Sequence, residues 1–246
     1  YYEPTYTANQ VPFNAAQQAA AVYGFNLISS YTNLTFTEVT ESSTTHGIIR
    51  MSQTSGDLGS AEGNFPGSDA SDGDVWFGQT NQPFYLTPAI GNWGQATMLH
   101  EIGHSMGLKH GHQDYTTFDL TDGGYLDGPG PHYGTAALPG SQNGQAWSLM
   151  TYSPDPGKTS GFEGDQFNQP QTYMQADITA LQYMYGANFT TNATDTVYTF
   201  NATTGEMYIN GVSQGVPEFD AVAGIGKIFR TIWDSNGNDT YDFSNF

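Results

Sequence analysis

The sequence predicts an α+β fold in two parts, with strands and long helices in residues 1–190 and short β segments in residues 191–246. Three observations carry that reading. Apolar residues recur at helical spacing in three stretches of the first part. Strand-like alternation falls between the first two of those stretches. Near residues 188–195 the composition shifts to turn-formers separated by short β runs, which makes that region the candidate domain boundary.

Taken in order, Asn14 is the expected N-cap of a helix from Ala15 to about Ser30, with Ala19, Val22, Tyr23, Phe25, Leu27 and Ile28 on its apolar side. Leu34–Val39, alternating as Leu-Thr-Phe-Thr-Glu-Val, and Gly47–Ser52 read as strands. Residues 53–73 are rich in Gly, Ser and Asp and read as loop around a short edge strand, and Asp74–Phe77 is a third strand. Trp93–Gly107 reads as a helix with Leu99, Ile102 and Met106 on one face. Gly, Asp, Pro and Tyr dominate 111–146, a long irregular connection of the kind that serves function or ion binding. Met174–Tyr185 is a further helix, stopped by Gly186.

Composition removes several classes of function. Abundant aromatics and few charges describe a folded chain rather than a disordered one. With 24 acidic residues against 5 basic ones, the chain cannot cluster the Lys and Arg that nucleic acid requires. The same shortage disfavours docking on anionic lipid. Zero Cys excludes a disulfide framework, a thiolate metal site and a thiol nucleophile. No apolar run approaches the roughly 18 residues of a spanning helix. The segment starting Tyr1-Tyr2-Glu3-Pro4 has no basic region followed by an apolar stretch, so no cleavable signal is expected within it.

The chemistry concentrates in His100-Glu101-Ile102-Gly103-His104-Ser105-Met106-Gly107-Leu108-Lys109-His110. On a helix, His100 and His104 lie one turn apart on the same face and can grip one metal ion. Glu101 is rotated from His100 by about 100°, close enough to reach a water on that ion without ligating it. Gly107 can take the left-handed conformation that ends the helix, letting the chain turn back to present His110. Three neutral nitrogens with a fourth position open describe a catalytic zinc site. Ordinary histidines on an amphipathic helix are the plain alternative. Five specified residue types at fixed positions occur by chance on the order of once in 10⁵ windows of this composition, so that alternative loses.

This motif matches the metzincin signature. Ser148-Leu149-Met150-Thr151-Tyr152 resembles the methionine turn of that clan, with Met150 as an apolar floor beneath the metal. The position of Tyr152 resembles astacins and serralysins, in which such a tyrosine can bind zinc or swing onto the transition state. Zero Cys weighs against an astacin-like enzyme. Further stretches resemble serralysins: Gly73-Asp74-Val75-Trp76-Phe77, the helix Asp177-Ile178-Thr179-Ala180-Leu181-Gln182-Tyr183-Met184-Tyr185-Gly186-Ala187-Asn188, and the segments from Asp195 to Asn201 and from Trp233 to Phe243.

That resemblance implies a metzincin catalytic domain, a twisted mixed sheet with long helices and zinc in the cleft, over residues 1–190. Residues 191–246 would then begin a calcium-binding β-roll. It implies a secreted, monomeric zinc endopeptidase of a Gram-negative bacterium, exported without a cleavable N-terminal signal. Its partners would be protein or peptide substrates and a proteinaceous inhibitor. His100, His104 and His110 would hold one catalytic zinc, with Tyr152 as an additional ligand. Glu101 would be the base, and substrate would lie extended near Gly59–Phe65. Asp234, the Asn236 carbonyl and Asp239 would bind a structural calcium, since Gly-Asn-Asp turns can ligate Ca²⁺ through oxygens. A Gly-Asn-Asp is also an ordinary turn.

Two departures stand out. Gly111-His112 follows the third histidine where the family usually has Pro, and His112 is expected in an exposed loop or in contact with metal or substrate. The tandem nonapeptide repeats of the family do not occur in these 246 residues. The competing reading is a catalytically weak, calcium-binding, surface-layer-associated protein that keeps a zinc site. An intact Glu101 counts against that reading.

Overall fold

The computed structural model of the chain describes residues 4–56, 58–79, 83–112, 118–119, 124–125, 138–152, 166–218 and 227–246. A short helix α1 (Pro4–Ala8) and strand β1 (Gln10–Val11) lead into α2 (Ala15–Tyr31). The expected cap is in place: Asn14 Oδ1 accepts the Gln17 N–H and Gln17 Oε1 accepts the Asn14 N–H, each at 3.0 Å. β2 (Met51–Thr54), β3 (Ala61–Gly63) and β4 (Val75–Gly78) follow. Next comes α3 (Trp93–Ser105), reached through a single 3₁₀ turn at Pro83–Leu86.

The first sheet has the order β1-β2-β4-β3, with β2 parallel to β4 and the other pairs antiparallel. It is therefore mixed, and β3 is an edge. Val75 and Phe77 of β4 are fully buried, as are Met98, Leu99 and Ile102 of α3 and Leu181 of α4 (Gln175–Tyr185). These side chains form one core. α2 meets α3 at Gly24, where a Cβ would lie 2.9 Å from Ile102 Cδ1, so the close approach needs a glycine. Tyr173 and Tyr185 donate to the carbonyls of Leu99 and Met106 at 2.7 and 2.9 Å, tying α4 to α3.

The Leu34–Val39 strand does not form. Leu34 and Phe36 pack against the core, and the Phe25 and Phe36 rings lie 4.8 Å apart, yet the segment joins no sheet. β1 occupies the position beside β2 that it could have taken, pairing Gln10 with Thr54. The strand expected at Gly47–Ser52 begins at Met51 and runs to Thr54, and the one expected at Asp74–Phe77 is shifted by one residue to Val75–Gly78. The expected edge strand is β3. Much of the irregular region 111–146 lies outside the described residues, within which β5 (Phe118–Asp119) and β6 (Gly124–Tyr125) pair antiparallel.

Beyond residue 190 lies a second sheet in the order β10-β7-β8-β9, from β7 (Val197–Phe200), β8 (Met207–Ile209), β9 (Val212–Ser213) and β10 (Thr240–Asp242). β10 runs parallel to β7, and the rings of Tyr198 and Tyr241, and of Phe200 and Phe243, stack at 5.0 Å. Tyr198, Phe200 and Met207 make a separate small core. Among the described residues, no helix is long and apolar enough to cross a membrane.

Candidate metal centre

α3 begins at an Asn92 cap, whose side chain accepts the Gln95 N–H at 2.9 Å, and carries His100 and His104 on one buried face. It ends where Gly107 adopts φ +90°, a conformation costly for any residue with a Cβ. The chain then doubles back. Leu108 N–H donates to the Gly103 carbonyl at 2.9 Å, and two residues later His110 faces the helix.

The three imidazoles converge through Nε2. The separations are 3.1 Å for His100–His104, 3.0 Å for His100–His110 and 2.9 Å for His104–His110. The Nδ1 atoms of His100 and His104 lie 3.1 and 2.8 Å from the carbonyls of Leu149 and Leu108. A carbonyl only accepts, so each Nδ1 carries the proton and each Nε2 presents a lone pair. Lone pairs facing one another at this range repel unless a cation lies between them. Tetrahedral zinc with Zn–N near 2.0–2.1 Å would set its nitrogens about 3.3 Å apart, so a small relaxation admits the ion. The donor set fits zinc. Among the described residues this is the one group of three or more His, Cys, Asp or Glu side chains with ligand atoms within 4.8 Å of one another. Burial, and then the neighbouring imidazoles, hold His100 well below the usual histidine range, which keeps it in the neutral form a metal requires.

Glu101 is buried beside the triad and lines the same cleft as His100, Tyr152, Trp93, Thr97 and Gln145. Burial pushes its carboxyl up to about 8. Glu62 pushes the same way, and a hydrogen bond from the Gly63 backbone opposes both. A Cβ at Gly63 would stand 2.2 Å from the Glu101 carbonyl oxygen, so edge strand β3 rests directly on the helix at that residue.

Met150 is 1% exposed and sits under the helix, where a Cβ at Gly103 would fall 2.7 Å from its sulfur. The turn around it is fixed by a residue that the spacing did not single out as functional. Asp177 on α4 accepts from Ser148 Oγ at 2.6 Å and from the N–H groups of Leu149 and Met174 at 2.7 and 2.9 Å. Ser148 Oγ in turn accepts the Met150 N–H at 3.0 Å. Burial raises the Asp177 carboxyl to about 6, against the pull of those donors. Its only sequence signal is an acid three residues into a helix, which marks a cap and says nothing of a turn 28 residues away.

Tyr152 lies over the triad, with its hydroxyl 3.4 Å from His100 Nε2 and its ring stacked on His100 at 5.4 Å. His112 joins the same cluster. In the C-terminal part, Asp234, Asn236 and Asp239 share one turn beside residues 194–196. The Tyr198 hydroxyl and the Asn236 N–H donate to Asp234, and the Thr196 N–H donates to Asp239 Oδ1 at 3.0 Å. Those carboxylates accept from donors both within the turn and beside it, and a calcium there would share them with backbone oxygens.

Residues 187–246 match the family model described as Peptidase M10 serralysin C terminal. The chain is 33% identical to "Metallopeptidase AprA" of Pseudomonas marginalis over 95% of its own length and 45% of that protein. It is 30% identical to "Serralysin" of Proteus mirabilis over 97% of its length and 46% of that protein. With "Serralysin A" of Dickeya chrysanthemi the figures are 32%, 96% and 44%. The chain thus spans about half the length of the curated relatives it matches.

Proposed function

The chain is serralysin-like along about 95% of its length, and from that premise we propose that it is a secreted zinc metalloendopeptidase. One observation carries the reading: three imidazoles bring their Nε2 atoms together at one place, with the buried side chain of Glu101 beside them. His100, His104 and His110 would hold a zinc ion, which would supply a Lewis acid and lower the pKa of a water toward about 7. Glu101, buried beside the triad, would take a proton from that water and later deliver it to the leaving amine. The Tyr152 hydroxyl, on the same side of the triad, donates a hydrogen bond to the developing oxyanion.

An extended peptide would add along the outer edge of β3, and the place of β3 at the end of the sheet supports the expectation for Gly59–Phe65. Residues 1–190 form the catalytic part in this reading, with zinc in the cleft between α3, β3 and the Met150 turn. Residues 191–246 form the start of a β-roll. Casein cleavage by the zinc-loaded protein should disappear with a zinc chelator and return when zinc is restored. Cleavage that survives complete zinc removal rules the reading out.

The same premise includes a structural calcium held by Asp234, the Asn236 carbonyl and Asp239. The close approach of that turn to Thr194, where a Cβ on Gly237 would lie 2.8 Å from the carbonyl, supports it. Millimolar calcium should raise the melting temperature, and Asp239→Ala should remove the increment. An unmoved melting curve in the parent protein removes calcium from the account.

A further inference from the structure

His112 follows Gly111, the residue that takes the place of the usual proline after the third histidine, and it bridges two segments that are 40 residues apart in the chain. The Tyr152 N–H donates to its Nδ1 at 3.0 Å. Its ring faces the Tyr152 ring at 4.7 Å and 30°, and lies nearly parallel to His110 at 5.0 Å and 22°. Tyr152 itself is 41% exposed, so core packing does not hold it over the triad. Its ring meets His100 at 5.4 Å, His110 at 4.5 Å and His112 at 4.7 Å, and its main chain is held by His112 Nδ1. Two of those three are assigned to the metal, which would fix them. The third is free of that duty.

The hydrogen bond also decides what His112 is not. Nδ1 accepts a proton from a backbone amide, so in the neutral ring the proton sits on Nε2. The Nδ1 lone pair is then committed to Tyr152 and the other nitrogen is a donor. In this arrangement His112 offers no lone pair to a cation, and it stands outside the ligand group formed by His100, His104 and His110.

We propose that His112 is a positioning residue that holds Tyr152 over the metal centre. It clamps the main chain at Tyr152 through Nδ1 and backs the phenol ring with its own face. The ligand-bearing segment ending at His110 and the turn carrying Met150 are thereby kept in one register. This rests on the reading of Tyr152 as a group that acts on the transition state. It adds a determinant that the metal-site motif does not contain.

Four proteins test it: His112→Ala, His112→Asn, Tyr152→Phe and the double variant His112→Ala/Tyr152→Phe. Asparagine places an acceptor where Nδ1 stands, so it preserves the clamp and removes the ring. His112→Ala should lower kcat about tenfold with KM within about twofold and zinc content unchanged, the split expected when a transition-state interaction is lost. His112→Asn should recover most of that loss. In the Tyr152→Phe background, His112→Ala should change kcat by less than about twofold, because the two residues act as one unit.

The visible spectrum of the cobalt(II)-loaded proteins supplies a readout independent of turnover. The His112→Ala spectrum should move toward that of Tyr152→Phe, while His112→Asn stays with the parent. A full effect of His112→Ala in the Tyr152→Phe background means a merely structural role and overturns the proposal. So does a cobalt spectrum indifferent to both residues. Absence of chelator-sensitive cleavage in the parent sinks the protease reading instead, and the cobalt comparison still decides the role of His112.

Discussion

Glu101→Ala leaves a protein that binds zinc with parent stoichiometry and cleaves casein about 10²–10⁴-fold more slowly, the range expected when a general base is lost. The separation between binding and turnover follows from the geometry. The nitrogens proposed to hold zinc are three imidazole Nε2 atoms within 3.1 Å of one another, and Glu101 is not among that group. Its carboxylate is buried beside them, pressed between Glu62 and the Gly63 backbone. Burial raises its proton affinity, and a cation held by the three imidazoles would oppose that rise. Glu101→Gln keeps the side chain's size and should be just as slow. Zinc content by metal analysis and initial rates on unfolded casein measure the two quantities. Turnover within about tenfold of the parent would falsify the assignment of Glu101 as base.

Asp177→Ala should be the most damaging substitution for stability away from the metal. It strips the acceptor from Ser148 Oγ and from the Leu149 and Met174 amides, all of them buried. Hydrogen bonds to a charged acceptor are worth about 1.5–3 kcal/mol each, and orphaned donors add their own cost, so a loss of at least about 3 kcal/mol is expected. For a chain of this size that corresponds to a melting temperature lower by roughly 6–12 °C. The turn it frees carries Met150 against Gly103 and the Leu149 carbonyl against His100 Nδ1, so zinc affinity should fall as well. Asp177→Asn tests the reason. One of its two terminal atoms becomes a donor facing donors, so it should recover little. Differential scanning calorimetry with and without zinc reads both effects, and an unchanged transition removes Asp177 from this role.

The parts of this protein that depend on short range were legible in the sequence. Asn14 capped the helix it was expected to cap, Gly107 ended α3 in the left-handed region, and His100, His104 and His110 met within a window of eleven residues. Helical periodicity, a cap and a stop are all written in neighbouring positions. What the alternation in Leu34–Val39 encodes is an extended chain with one side packed, not membership of a sheet. Membership depended on β1, a two-residue segment too short to be read from its own sequence. Asp177 escaped for a related reason. Its hydrogen bonds reach the turn at Ser148 and Leu149 across the fold, and nothing local distinguishes that carboxylate from a helix cap. His112 was visible as a departure, but its partner, the amide of Tyr152, was not.

The contact between Gly63 and the Glu101 carbonyl has a consequence for rate. No side chain intervenes between β3 and the helix there, so main-chain atoms set the spacing between the strand and the Glu101 backbone, and the hydrogen bond from the Gly63 backbone ties the Glu101 carboxylate to that same strand. Main-chain spacing cannot relax by a change of rotamer. A peptide seated on β3 would meet the base at a distance decided when the chain folded, and little translational freedom would remain to be lost at the chemical step. In the language of intramolecular reactions, the strand gives the carboxylate a high effective molarity. Any side chain at position 63 lowers it by pushing the two apart.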